Sequence, residues 1–256
     1  MPVELAPADL APARPGARLH FLHVGKTGGT AIKRAMRAGG VRRTPYGRLV
    51  LHRHRFTLRD VPEDDFIVFC VRDPVARFAS GFYSRRDKGR PRHDVEWSPA
   101  EAKVFGAFAT PEQLAGALAG DDPEQRELAE FAMRHVRHLS LQRRIVGPVP
   151  ELRRRLDHVV FIGRQETLDA DWKRLKAVLE IDRDLALPTD PVEAHRRTTP
   201  ERPDFDEVQL AALRDWYARD YRLVRFCEAV RAARGQTGTR LGRLRSRLPM
   251  PRQSRG

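Results

Sequence analysis

Lys26-Thr27-Gly28-Gly29-Thr30 follows the apolar run Leu19 to Val24 and has the parts of an oxyanion cradle. Adjacent glycines let backbone N–H groups close on an anion, and a helix starting there adds free amides and the positive end of its dipole. Thr27 and Thr30 bring hydroxyl donors, and Lys26 brings a positive charge. Gly25-Lys26-Thr27 resembles the end of the nucleotide loop Gly-x-x-x-x-Gly-Lys-Ser/Thr. That loop needs a glycine where this chain has His20, so the ATP or GTP loop is absent. A second set lies in "FCVRDPVARFAS", with Arg72 at the end of an apolar run and Ser80 eight residues on. An arginine there can bind a phosphate bidentately and a serine can donate to it. The plain structural alternatives are a tight turn with a surface lysine, and an ion pair from Arg72 or Arg77 to Asp73.

These residues need strands and helices to carry them. "LHFLHVG" (19–25) reads as a buried strand, and "TAIKRAMRAGG" (30–40) as a helix closed by Gly39-Gly40. "RLVLHRH" (48–54) reads as a second strand. "FIVFCVR" (66–72) is almost free of polar residues, as in a central parallel strand. Asp73-Pro74 then opens a helix. The charged stretch from about 85 to 110 reads as loop-rich. Helices are expected near 111–119, 124–145 and 168–180, a strand at 157–163, and a long helix at 206–233 with a break near Asp220. Strands alternating with helices predict an α/β three-layer fold with a mostly parallel sheet. Both strand-to-helix turns then open on one sheet edge, where ligands bind.

The chain of 256 residues is long enough for one domain with a sizeable core. The expected organisation is a loose Ala/Pro-rich arm (1–17), a domain over 18–233 and a basic tail (234–256). No apolar run reaches the roughly 18 residues of a membrane span, and no secretory signal is visible at the start. Cys70 and Cys227 have no paired spacing, so they read as reduced core residues, and the cytoplasm is the expected location. Arginines from Arg231 onward contribute +8 of the net +14. Such an end could touch an anionic membrane surface, but no motif for specific nucleic-acid recognition accompanies it.

Taken in order, Lys-Thr-Gly-Gly-Thr after one strand and Val-Arg-Asp-Pro-x-x-Arg-x-x-Ser after another resemble the two phosphate motifs of sulfotransferases that use 3′-phosphoadenosine 5′-phosphosulfate (PAPS). The closest group is that of carbohydrate, or type 2, sulfotransferases, including glycan 2-O-sulfotransferases. The resemblance covers about residues 19–226 and implies a soluble bacterial-type member with a P-loop-NTPase-like fold. It implies that Lys26, Thr27, Gly28, Gly29, Thr30 and Ala31 hold the 5′-phosphosulfate, and that Arg72 and Ser80 hold the 3′-phosphate. His52-x-His54 is similar to a His-x-His of the glycan 2-O enzymes. "HRRTTP" (195–200) resembles a basic loop that closes over the nucleotide, which makes Arg196, Arg197 and Thr198 candidates.

The reaction so implied is in-line transfer of a sulfuryl group to an acceptor hydroxyl, on a glycan or glycolipid. Lys26 is expected to steady the leaving group. His54 is expected to take the hydroxyl proton, with His52 as the alternative. No metal is expected. The competing enzyme reading is a P-loop-like small-molecule kinase, which would want the glycine missing at position 20 and an Asp for Mg²⁺. Arg-rich "YSRRDKGRPRHD" (83–94) reads either as a solvated loop or as a contact for an anionic acceptor.

Overall fold

The structure is a computed structural model, and it describes residue 10 and residues 14–182, 184–190 and 203–236. Five strands form one sheet: β1 (Arg18–Leu22), β2 (Arg43–Thr44), β3 (Gly47–Leu51), β4 (Phe66–Val71) and β5 (Val159–Arg164). Their spatial order is β2-β3-β1-β4-β5. β1 runs parallel to both β3 and β4, and β4 runs parallel to β5. The two-residue β2 is antiparallel and forms the edge. Every residue of β4 is buried, which is why its sequence is apolar on both faces.

Ten α-helices and three short 3₁₀ helices complete the described chain. The α-helices are α1 (Gly29–Ala38), α2 (Pro74–Arg86), α3 (Pro99–Ala107), α4 (Pro111–Ala119), α5 (Pro123–His135), α6 (Arg143–Val146), α7 (Val149–Arg154), α8 (Leu168–Val178), α9 (Glu207–Trp216) and α10 (Ala218–Gln236). One core cluster joins the sheet to α1, α8 and α10. A second joins α2 to α3, α4, α5 and α9 through Phe78, Phe82, Leu114, Met133 and Tyr217.

Three elements depart from the sequence expectation. The stretch read as loop contains α3, whose Ser98 caps the Glu101 amide while Glu101 caps back on Ser98. Ser-Pro-x-Glu is a capping box that the density of charges obscured. The helix expected over 124–145 stops at His135. The long C-terminal helix breaks at Tyr217, three residues before Asp220.

The topology fixes the site. After β1 the chain goes to β3 on one side, then crosses to β4 on the other. The order therefore reverses at β1, and the ends of β1 and β4 flank a crevice at the sheet's carboxyl edge.

Candidate active site

The crevice is a cleft of about 910 Å³, lined by the turn after β1, α2 and the stretch that follows it, the loop after β3, the turn after β5 and the loop after α5. The anion turn forms its floor. Gly28 is the N-cap of α1 with φ of 82°, a left-handed conformation that suits glycine. Among the described residues no side chain caps α1, and its first turn holds no acid, so the amides there lack a side-chain acceptor at the cleft. Lys26 is also left-handed, at φ 68°, which a lysine adopts only when its surroundings enforce it. Arg72 supplies part of that enforcement, because its Nη1 donates to the Lys26 carbonyl at 3.2 Å. The buried Arg77 donates from Nε to the Gly25 carbonyl at 3.0 Å. Arg77 therefore braces the turn and does not pair with Asp73, which instead caps α2 through the Ala76 amide.

Lys26, Gly28, Gly29, Thr30, Ala31, Arg72 and Ser80 all line the cleft. Thr27 does not: its hydroxyl is buried and donates to the Val24 carbonyl at 2.9 Å. The Thr27 hydroxyl is thus committed to the turn itself. Arg196, Arg197 and Thr198 lie outside the described residues.

Arg72 is itself held by Gln142. The Gln142 Oε1 accepts from the Arg72 amide at 3.1 Å, and its Nε2 donates to the Arg72 carbonyl at 2.8 Å. Asp220, at 0% exposure, accepts from the Gln142 and Arg143 amides at 2.6 and 3.1 Å. A chain of buried polar groups thus runs from α10 to the end of β4. The Arg72 Nε is buried and has no hydrogen-bond partner among the described residues. An orphaned guanidinium N–H beside uncapped helix amides fits a phosphorylated ligand: each group is costly to bury unless an anion completes it.

The two histidines of His52-x-His54 have different surroundings. His54 lines the cleft. Its Nδ1 lies 3.2 Å from the His23 carbonyl. A carbonyl only accepts, so Nδ1 carries the proton and Nε2 keeps its lone pair. Burial pushes the His54 pKa below its ordinary value, with the charges of Lys33 and Arg137 adding to that. The ring is therefore neutral at pH 7. His52 is absent from the cleft lining. Its Nε2 meets His20 Nδ1 at 2.8 Å, His20 Nε2 meets Asp65 at 3.0 Å, and its ring stacks on Phe56. Burial, then His20 and Lys33, lower its pKa to about 4. His52 braces the loop that carries His54.

Sequence reasoning missed His23, Arg137 and His138, all of which line the cleft. The His138 ring is 5.2 Å from His54 and sits over Gly25, where a Cβ would come 2.5 Å from its Nδ1. Gly25 is thus required by a close approach from a distant loop. Burial, with Lys26 and His54 nearby, holds the His138 pKa well below its ordinary value. Position 138 has no motif around it, so nothing short of the fold could bring it here.

The tryptophans and Asp171 lie away from the cleft. Trp97, Trp172 and Trp216 do not line it. Asp171 is buried under Arg174 and Arg231. The Arg-rich stretch does line the cleft, through Tyr83, Ser84, Arg85, Lys88 and His93, but its charges are largely self-neutralised: Arg85 pairs with Glu101, Lys88 with Glu96 and Arg90 with Asp94.

Comparison with models of protein families matches residues 14–226 to the Sulfotransferase family. The chain belongs to that family. Comparison with curated proteins and with solved structures finds no match. This sulfotransferase is a transferase enzyme, of a family that generally draws its sulfuryl group from PAPS. No helix among its described residues is long and apolar enough to cross a membrane. Cys70 and Cys227 are both buried and unpaired, as their spacing suggests.

Proposed function

We propose that this sulfotransferase moves the sulfuryl group of PAPS to a hydroxyl of a carbohydrate or glycoconjugate, with His54 as the base. One observation carries the reading. Lys26, the turn Gly28–Ala31, Arg72 and a His54 whose Nε2 keeps its lone pair all line one cleft.

PAPS, when bound, supplies an electrophilic sulfuryl group and a good leaving group. The amides of Gly28 to Ala31 and the Lys26 ammonium would hold its 5′-phosphosulfate end, and Arg72 with Ser80 its 3′-phosphate. Lys26 places positive charge where negative charge grows in the transition state. His54 accepts the acceptor hydroxyl proton at Nε2, while its Nδ1–H stays fixed on the His23 carbonyl and keeps the ring in that tautomer. The neighbouring cations Lys33 and Arg137 discourage a resting imidazolium, so the base is ready near neutral pH. The carbohydrate acceptor is supported by the His52-x-His54 likeness and by a wide cleft continuing past His54 to Arg137 and Tyr83.

The kinase reading gains nothing from the fold, since the glycine it wants is His20, locked between Asp65 and His52. The test is transfer from ³⁵S-labelled PAPS to a panel of neutral and acidic oligosaccharides. Label should reach at least one glycan, and His54→Ala should lower the rate roughly 10²- to 10⁴-fold without weakening nucleotide binding. A His54→Ala enzyme of normal rate would remove the base from this account.

A further inference from the structure

Lys33 is a buried lysine on the face of α1 that packs Ile32 and Met36 into the core. Such a residue survives only with acceptors around it. It has two: its Nζ donates to the His52 carbonyl at 2.9 Å and is bonded to His23 Nδ1. His23 follows β1 and lines the cleft, with its Cδ2–Nε2 edge packed on the anion turn. Those atoms stand 3.1 and 3.4 Å from where a Cβ on Gly29 would be.

The Lys33 bond decides what this ring can do. A charged ammonium has no lone pair, so Nδ1 must be the acceptor and the ring proton must sit on Nε2. Burial, followed by Arg37 on α1 and Arg53 after β3, lowers the Lys33 pKa to about 8. That still leaves the amine mostly charged at pH 7. His54, 4.1 Å away between ring centroids, has the opposite assignment through its Nδ1. Two adjacent imidazoles are thereby fixed in complementary tautomers, one offering a lone pair and one offering a proton.

We propose that His23 is a fixed hydrogen-bond donor of the phosphosulfate site, its Nε2–H set against Gly29 of the anion turn by Lys33, and that it is not a second base. This rests on the sulfuryl-transfer reading above. His23 then adds a neutral donor to the turn's amides, next to the group on which negative charge grows. Lys33 is a positioning residue, acting only through the tautomer it imposes. The arrangement also explains why a core helix tolerates a lysine at this position.

The test combines imidazole ¹⁵N spectra of the full chain at pH 7 with calorimetric binding of adenosine 3′,5′-bisphosphate. The wild-type spectrum should show an acceptor-type Nδ1 and a protonated Nε2 for His23, and the reverse for His54. Lys33→Met should return His23 to a mixture of tautomers. His23→Gln, which keeps an N–H near the Nε2 position, should bind the nucleotide within about threefold of wild type. His23→Phe should bind roughly tenfold or more weakly. A protonated Nδ1 on wild-type His23 would overturn the proposal with no variant needed. Wild-type affinity in His23→Phe would overturn it while leaving the nucleotide site intact. A wild-type protein that ignores the bisphosphate is a different result, and takes the PAPS reading down with the proposal.

Discussion

Gln142→Leu isolates the device that positions Arg72. Leucine fills much of the same volume, so the loss is two hydrogen bonds more than packing. The Arg72 amide loses its acceptor at 3.1 Å and the Arg72 carbonyl its donor at 2.8 Å, at a site where Gln142 has 0% exposure. Each buried main-chain group left unsatisfied costs roughly 1–3 kcal/mol, and partial relaxation reduces the sum, so a loss of about 2–4 kcal/mol is expected. Against a typical total of 5–15 kcal/mol this is large but survivable. The functional effect should exceed the global one. Freed at its backbone, Arg72 no longer aims its guanidinium or holds the Lys26 carbonyl, so affinity for adenosine 3′,5′-bisphosphate should fall about tenfold or more. Urea unfolding reads the first quantity and calorimetry on folded protein reads the second. Gln142→Glu sharpens the comparison: it keeps an acceptor for the amide but sets a carboxylate against the Arg72 carbonyl, and should be no better than leucine. A loss below 1 kcal/mol with unchanged nucleotide affinity would refute the clamp.

Gly25→Ala puts a methyl 2.5 Å from the His138 ring nitrogen and 3.1 Å from its Cε1, and must displace that loop or the anion turn. Nucleotide binding should fall more than melting temperature does, and a variant that binds normally would contradict the close approach. Acid stability should reflect His52. Its pKa drops from 6.5 unfolded to about 4 folded, so between those values the unfolded chain binds the extra proton and stability falls as pH falls. The contribution reaches at most roughly 3 kcal/mol before solvent screening trims it. His52→Phe keeps a ring on Phe56 and should flatten that acid limb in urea titrations at pH 4 to 6.5; an unchanged slope would assign it to other groups. Asp171→Asn should cost several kcal/mol by leaving the half-buried Arg231 and Arg174 beside a neutral amide, as thermal melts would show.

What the sequence made legible is local. β4 is visible because burial on both faces leaves no room for polar residues, and the anion turn because adjacent glycines follow an apolar run. Arg72 and Ser80 could be paired with that turn because parallel strands bring their ends to one edge. What stayed hidden depends on distant contacts. His138 reaches the cleft because the loop after α5 is tied, through Gln142 and Asp220, to α10 far along the chain. Lys33 looks like any helix lysine until its acceptors, His23 and the His52 carbonyl, are placed beside it. Two arginines at the start of the basic C-terminal run, Arg231 and Arg234, donate to the Ile162 and Val159 carbonyls of β5, contacts that no local pattern announces.

The most direct test of the whole account is nucleotide discrimination by thermal unfolding. Adenosine 3′,5′-bisphosphate is compared with adenosine 5′-phosphate and ATP–Mg²⁺, on wild type and Arg72→Ala. A ligand at about 100 times its Kd adds about 2.7 kcal/mol, which in a chain of this size raises Tm by roughly 5–10 °C. That rise is expected for the bisphosphate alone, and its loss in Arg72→Ala. Equal stabilisation by the nucleotide lacking the 3′-phosphate, or a larger effect of ATP–Mg²⁺, would contradict it.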